Sequence, residues 1–182
     1  MEILTIGHST KTSSDFIELV RMHGVELIVD VRTVPRSGHN PQFNQDALMP
    51  VLAEIDVEYA HMKGLGGFRK PRPDSVNTAW HEESFRGFAD YMETSEFEDN
   101  LKRLLDMAER KRTAIMCAEA VPWRCHRALI SDALVARGVR VRHIIEKTQT
   151  SEHYLTPWAR VEQGRVSYPG EGKAGDGHKG SK

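Results

Sequence analysis

A chain of 182 residues carrying 25 lysines and arginines against 26 aspartates and glutamates is close to neutral, which excludes a generally basic nucleic-acid coat, and it is long enough for one well-buried core. Two cysteines cannot supply the disulfide framework of a small secreted domain, and no segment approaches the ~18 apolar residues of a membrane span. The opening MEILTIGHST has no basic stretch followed by a long apolar run, so the expectation is a cytoplasmic protein with reduced thiols and no membrane partner.

In chain order, residues 3–6 predict a first strand, followed by Gly7-His8-Ser9-Thr10 and a helix. Thr12 with Asp15 has the form of a capping box, Phe16, Ile17, Leu19 and Val20 supply the apolar face, and Gly24 ends the helix. The run ELIVDV at 26–31 is continuous enough for a strand buried on both faces, and it ends in Asp30 and Arg32. After a loop over 33–43, Asn44 is placed to cap a second helix through Ile55, with Pro50 inside it expected to kink it or delay its start. Residues 57–62 alternate as a third strand.

The Gly-, Pro- and Arg-rich segment 63–83 is too long for an ordinary connection and reads as a functional loop. Ser84 then begins a short helix, and Ser95 with Glu98 resembles a second capping box ahead of Phe97, Leu101, Leu104 and Leu105. A strand at 113–116 meets the loop CAEAVPWRCHR, followed by a helix closed by Gly138 and a strand at 139–145. Strand and helix alternate, which predicts a single-domain α/β fold: an open, mainly parallel sheet of about five strands with helices on both faces. The domain is expected to span 1–169, with a small hairpin about Gln163-Gly164 and a disordered polar tail at 170–182.

The loops leaving the carboxyl ends of parallel strands converge on one edge, where open α/β sheets hold their chemistry. That edge would gather His8 and Ser9, then Asp30, Arg32 and Arg36, then the 64–72 loop, then Cys117, Glu119, Arg124, Cys125 and His126. Cys117, flanked by Arg124, His126 and a helix start, has the setting of a low-pKa nucleophile, or it is a buried hydrophobe closing its strand. Cys125 is its resolving partner or a core residue. Adjacent Cys125-His126 and the absence of Cys-x-x-Cys spacing argue against a metal, and no cofactor is expected. In the enzymatic reading Cys117 attacks, His8 or His126 moves protons, and Glu119 orients or acts as base. Asp30, Arg32, Arg36, Gly66, Gly67, Arg69, Arg124 and Arg127 would hold a phosphate-bearing small molecule or nucleic acid. About five cations are expected to meet where Arg32 and Arg36 face the Gly66–Arg72 loop. His23 and His143 read as structural or surface residues.

The segments TIGHST, VDVRTVPRS, NPQFN, LGGFRKPR, SFRGFADYM, MCAEAVPWRCHR and TPWARVEQGRVSYP identify the chain as resembling the family known as domain of unknown function 488 over residues 3–169. The positions that match its motifs are His8, Asp30, Arg32, Pro35, Arg36, Phe43, Gly66, Gly67, Cys117, Glu119, Cys125, His126 and Arg127, and the resemblance implies no particular activity. A weaker likeness is to rhodanese-type sulfurtransferases, which also place Asp-x-Arg after an early strand and a nucleophilic cysteine after a later one. Here Arg124 lies seven residues beyond Cys117, with Pro122 and Trp123 between, which departs from the rhodanese loop.

Overall fold

The computed structural model describes residues 1–171. Five parallel strands form the body of one sheet: β1 (Glu2–Gly7), β2 (Leu27–Asp30), β3 (Glu58–His61), β4 (Thr113–Cys117) and β5 (Arg140–Glu146). A sixth, β6 (Gln149–Glu152), runs antiparallel to β5, and the order across the sheet is β3-β2-β4-β1-β5-β6. The interior strands are buried along their length, which is why their sequences are nearly unbroken apolar runs.

Helices α1 (Ser13–Met22) and α2 (Gln45–Ala53) cover one face, packing Phe16, Leu19, Val20, Leu48 and Leu52 on Leu4, Ile6, Ile28, Ala114 and Met116. Helices α3 (Glu83–Tyr91), α4 (Ser95–Ala108) and α5 (Arg127–Val135) cover the other. Phe88, Phe97, Leu101, Leu104, Leu129 and Ile130 pack there on Ile3, Val29, Ile115 and Val141. Alternate residues of each strand serve the two cores, as the pleat requires. Among the described residues no helix is long and apolar enough to cross a membrane.

Local signals explain most of the boundaries. Thr12 Oγ1 accepts from the Asp15 amide at 3.0 Å, and Gly24 takes φ +63° just past α1. The cap of α4 is Thr94, one residue before the serine that the sequence pattern favours; its hydroxyl accepts from the Phe97 amide at 3.2 Å. Pro50 does not delay α2, which starts at Gln45, and Asn44 turns its side-chain oxygen to the Ser37 amide (2.7 Å) instead of capping.

β6 is an addition to the expected strands. Its sequence, QTSE, is polar and partly exposed, so it carries neither an apolar run nor an alternation. The expected hairpin is formed by β7 (Arg160–Glu162) and β8 (Arg165–Ser167), with Gln163 and Gly164 at φ +51° and +76°, the positive pair a type I′ turn needs. The tail from residue 172 onward lies outside the described residues.

The 63–83 segment is pinned. Asp90 of α3, itself buried, accepts from the Arg72 amide (2.8 Å), the Ser75 hydroxyl (2.6 Å) and the Asn77 amide group (2.8 Å). A buried carboxylate satisfied by three donors from one loop fixes that loop against the helix.

Candidate active site

β4 ends at Cys117, and the β1–β4 ladder runs on past it: the His8 amide donates to the Cys117 carbonyl and the Ser9 amide to that of Ala118, both at 2.9 Å. The chain then folds back over Gly7. A Cβ there would stand 1.9 Å from the Glu119 carbonyl oxygen, so only glycine admits this return. A single turn of 3-10 helix, Pro122–Arg124, delivers Cys125 to the start of α5.

The two sulfurs lie 2.8 Å apart, and the Arg127 amide at the opening of α5 donates to Cys125 Sγ at 3.3 Å. Burial pushes the Cys117 thiol well above its ordinary range, and the hydrogen bond and negative charge shared with Cys125 push it further. Burial acts on Cys125 in the same sense. There it is outweighed by the hydrogen bonds from Cys117 and His126 and the charges of His126 and Arg127, which bring this thiol well below its ordinary value. The direction is opposite to the one expected for Cys117: the α5 amide and the His126 ring address Cys125 alone, while the Arg127 charge acts on both sulfurs.

Arg127 is 1 % exposed. Its Nη2 donates to the Glu119 carbonyl (2.5 Å) and its Nη1 to Thr5 Oγ1 (3.2 Å), while Nε has no hydrogen-bond partner. Among the described residues no carboxylate pairs with it. The hydrogen bonds continue across the sheet: Thr5 to His143 Nδ1 (2.7 Å), His143 Nε2 to His153 Nδ1 (3.0 Å), and His153 Nε2 to Asp132 Oδ1 (2.8 Å). With both imidazoles neutral, every group in this chain donates in one direction, from guanidinium to carboxylate. Burial, aided by the charges of His153 and Arg127, pushes His143 down to about 3, in keeping with a neutral ring.

His126 donates from Nε2 to the Val31 carbonyl (2.9 Å), which leaves Nδ1 directed at Cys125 Sγ, 3.7 Å away. Gly67 makes room for that ring, since a Cβ there would come within 2.6 Å of Nδ1.

The cysteine pair lines a cleft of about 470 Å³ together with Arg32, Arg36, Gly67, Phe85, Glu119, Arg124 and His126. Glu82 and Ser84, which the sequence reading did not place in the site, also line it. Val34, Phe68 and Trp123 are exposed apolar groups on this side of the molecule, the latter two at 82 % and 68 %. Arg36 and Arg124 are exposed, and among the described residues neither is in an ion pair. The Glu119 side chain is exposed, and it is the residue's backbone carbonyl that contacts Arg127.

The other expected site residues, and Arg32 at the cleft's wall, are engaged within the fold. Asp30 and Arg32 form a buried pair: the Asp30 carboxylate accepts from Arg32 Nε (2.9 Å), Arg32 Nη2 (2.6 Å) and the Tyr59 hydroxyl (2.5 Å). Arg32 Nη2 also donates to the Phe43 carbonyl at 2.7 Å. His8 stacks on Phe43 at 4.4 Å, donates from Nδ1 to the Ser9 carbonyl and accepts at Nε2 from Arg32, so both its nitrogens are engaged. Burial lowers its pKa.

Arg69 lies over the Tyr91 ring at 3.5 Å and donates to the Gly66 carbonyl, and Arg72 pairs with Glu93 and Asp74. Of the 66–72 loop only Gly67 and Phe68 reach the cleft, so the expected cluster of five cations does not assemble there. Among the described residues no group of three or more His, Cys, Asp or Glu side chains is disposed to hold a metal ion. The Thr5, His143, His153 and Asp132 chain was missed by sequence reasoning. Its sole local signal is a threonine and an aspartate inside otherwise apolar elements.

An open α/β sheet with a dithiol at the junction of its fourth strand and fifth helix defines the class of domain. The sequence model of the family described as Domain of unknown function DUF488 matches residues 12–134, and the chain belongs to that family. No curated protein and no solved structure matches it.

Proposed function

We propose that the chain is a cysteine-dependent enzyme whose nucleophile is the Cys125 thiolate, acting in the cleft on a small ligand with an anionic group such as a phosphate. The observation that carries this reading is the buried Arg127, whose amide donates to Cys125 Sγ, whose guanidinium charge acts on both thiols, and which pairs with no carboxylate among the described residues. A buried charge without a countercharge costs several kcal/mol. Ionising one thiol supplies the countercharge, and the α5 amide and Cys117 then hydrogen-bond the thiolate. Such a sulfur attacks an electrophilic centre, and His126 Nδ1 stands where a proton is taken or returned. Arg36 and Arg124 are free to meet the anion, and Phe68 and Phe85 to cover its apolar part.

The reducing cytoplasm is the compartment in which both thiols stay available. A non-catalytic nucleic-acid surface has less behind it, since Arg32, Arg69 and Arg72 are each engaged within the fold. Rhodanese-like sulfur transfer would use the same nucleophile and differ in the group it carries.

Iodoacetamide modification followed by peptide mapping across pH tests the reading. Cys125 should react with an apparent pKa below the ordinary ~8.5, and inorganic phosphate should slow its modification in the wild type but not in Arg124→Ala. Modification of both cysteines only above the ordinary value, or of Cys117 first, would overturn it.

A further inference from the structure

We propose that Cys117 and Cys125 are the two halves of a thiol–disulfide exchange centre whose substrate is a small anionic disulfide. The proposal rests on Cys125 being the nucleophile and adds what that nucleophile attacks and how its adduct is released.

The two sulfurs are 2.8 Å apart, so a shift of under ~1 Å brings them to bonding distance. They are the chain's two cysteines, and both line the cleft. An adduct formed on Cys125 therefore always has a second thiol in contact with it. Cys117, which receives neither the α5 amide nor the His126 ring, is the thiol suited to act second. The nearly buried Arg127, with Nε unpartnered, supplies a positive charge to whichever sulfur is ionised. Arg36 and Arg124, unpaired among the described residues, favour negatively charged substrates, and Phe68 and Phe85 favour those with an apolar body.

The steps balance. The Cys125 thiolate attacks one sulfur of R–S–S–R, a Cys125–S–S–R bond forms, the substrate S–S bond breaks, and RS⁻ leaves. As Cys117 gives up its proton, its sulfur attacks Cys125 Sγ, expelling the second RS⁻, which takes that proton. The chain is left as the Cys117–Cys125 disulfide, oxidised by two electrons, while the substrate disulfide is reduced to two thiols. An external dithiol returns the pair to its starting state by the reverse exchange.

Dithiobis-nitrobenzoate, an anionic aromatic disulfide, is the probe, read by thiolate colour and intact-protein mass. The native wild-type chain should release two nitrothiolates, retain none, and lose two hydrogens in mass. Cys117→Ser should release one and retain one on Cys125, and Cys125→Ser should react slowly. Arg124→Ala should slow the anionic probe by about tenfold while leaving uncharged hydroxyethyl disulfide unaffected.

The wild-type stoichiometry needs no variant to fold. A wild-type chain retaining two nitrothiol groups would overturn the exchange centre even if Cys125 alkylates at low pH, which is how its failure is told from that of the nucleophile assignment. Trapping on Cys117 in Cys125→Ser at the wild-type rate would overturn the order of attack. Equal effects of Arg124→Ala on both probes would overturn the substrate class.

Discussion

Arg32 and Arg127 are both buried near the carboxyl edge of the sheet, yet they find their countercharges differently. Arg32 has a carboxylate two residues away in sequence, held by a tyrosine hydroxyl as well. Arg127 has carbonyl and hydroxyl oxygens, a pair of thiols, and a carboxylate only at the far end of a four-link hydrogen-bonded chain. The Asp30 carboxylate is taken up by Arg32 and the Tyr59 hydroxyl together, so the Arg32 pair is scaffold. A thiolate countercharge is chemically expendable, and the sulfur that carries it is a nucleophile. One buried charge thus stabilises the fold while the other activates a side chain.

Breaking each pair should give different symptoms. The largest effect is expected from Asp30→Ala, which strands Arg32 without a carboxylate and should cost about 3–5 kcal/mol in urea unfolding, with little change in the pH profile of Cys125 alkylation. A loss below ~1 kcal/mol would mean the pair behaves as an exposed one. Arg127→Met should act the other way round. With no cation to neutralise, Cys125 should titrate higher, with about a tenfold loss of alkylation rate at neutral pH, recoverable at alkaline pH. Persistence of the fast neutral-pH reaction would separate Arg127 from thiol activation.

The pH dependence of stability sharpens the contrast. Cys125, held below its unfolded value, contributes stability that is present above ~8.5 and lost as pH falls through its folded pKa. Cys117, held above, contributes stability present below ~8.5 and lost as pH rises toward its folded pKa. The unfolding free-energy difference between wild type and a Cys117→Ser/Cys125→Ser double variant should therefore peak near ~8.5 and decline on both sides. A difference that does not vary with pH would show that neither thiol is shifted. The smallest effect should follow Asp132→Asn, which removes the distant negative charge behind Arg127. Cys125 should then titrate slightly lower, and a rise would show that the relay's geometry, rather than its charge, reaches the sulfur.

Much of this arrangement was legible before any coordinates. The apolar runs of β1, β2 and β4, the Thr12 cap and the glycine stops are local signals, and parallel topology follows from their alternation. That same topology brings Cys117, Cys125, His126, Arg36, Arg124 and Gly67 to one cleft. The division of labour among the cations was less legible, because a list of arginines does not reveal which are already answered: Arg69 by the Tyr91 ring, Arg72 by Glu93. Nor does sequence rank two cysteines eight residues apart. Their order of acidity depends on which one receives the α5 amide, and that follows from the turn at Pro122–Arg124. The Thr5, His143, His153 and Asp132 chain joins β1, β5, α5 and the segment after β6, and no local periodicity announces contacts of that range.

The most direct test of the Cys125–Arg127 pairing is the ultraviolet absorbance of thiolate, followed through a pH titration of the native reduced chain. One thiolate per chain should be present at neutral pH, absent in Cys125→Ser, retained in Cys117→Ser and shifted to alkaline pH in Arg127→Met. A native chain with no thiolate at neutral pH, gaining both only above ~8.5, would contradict it.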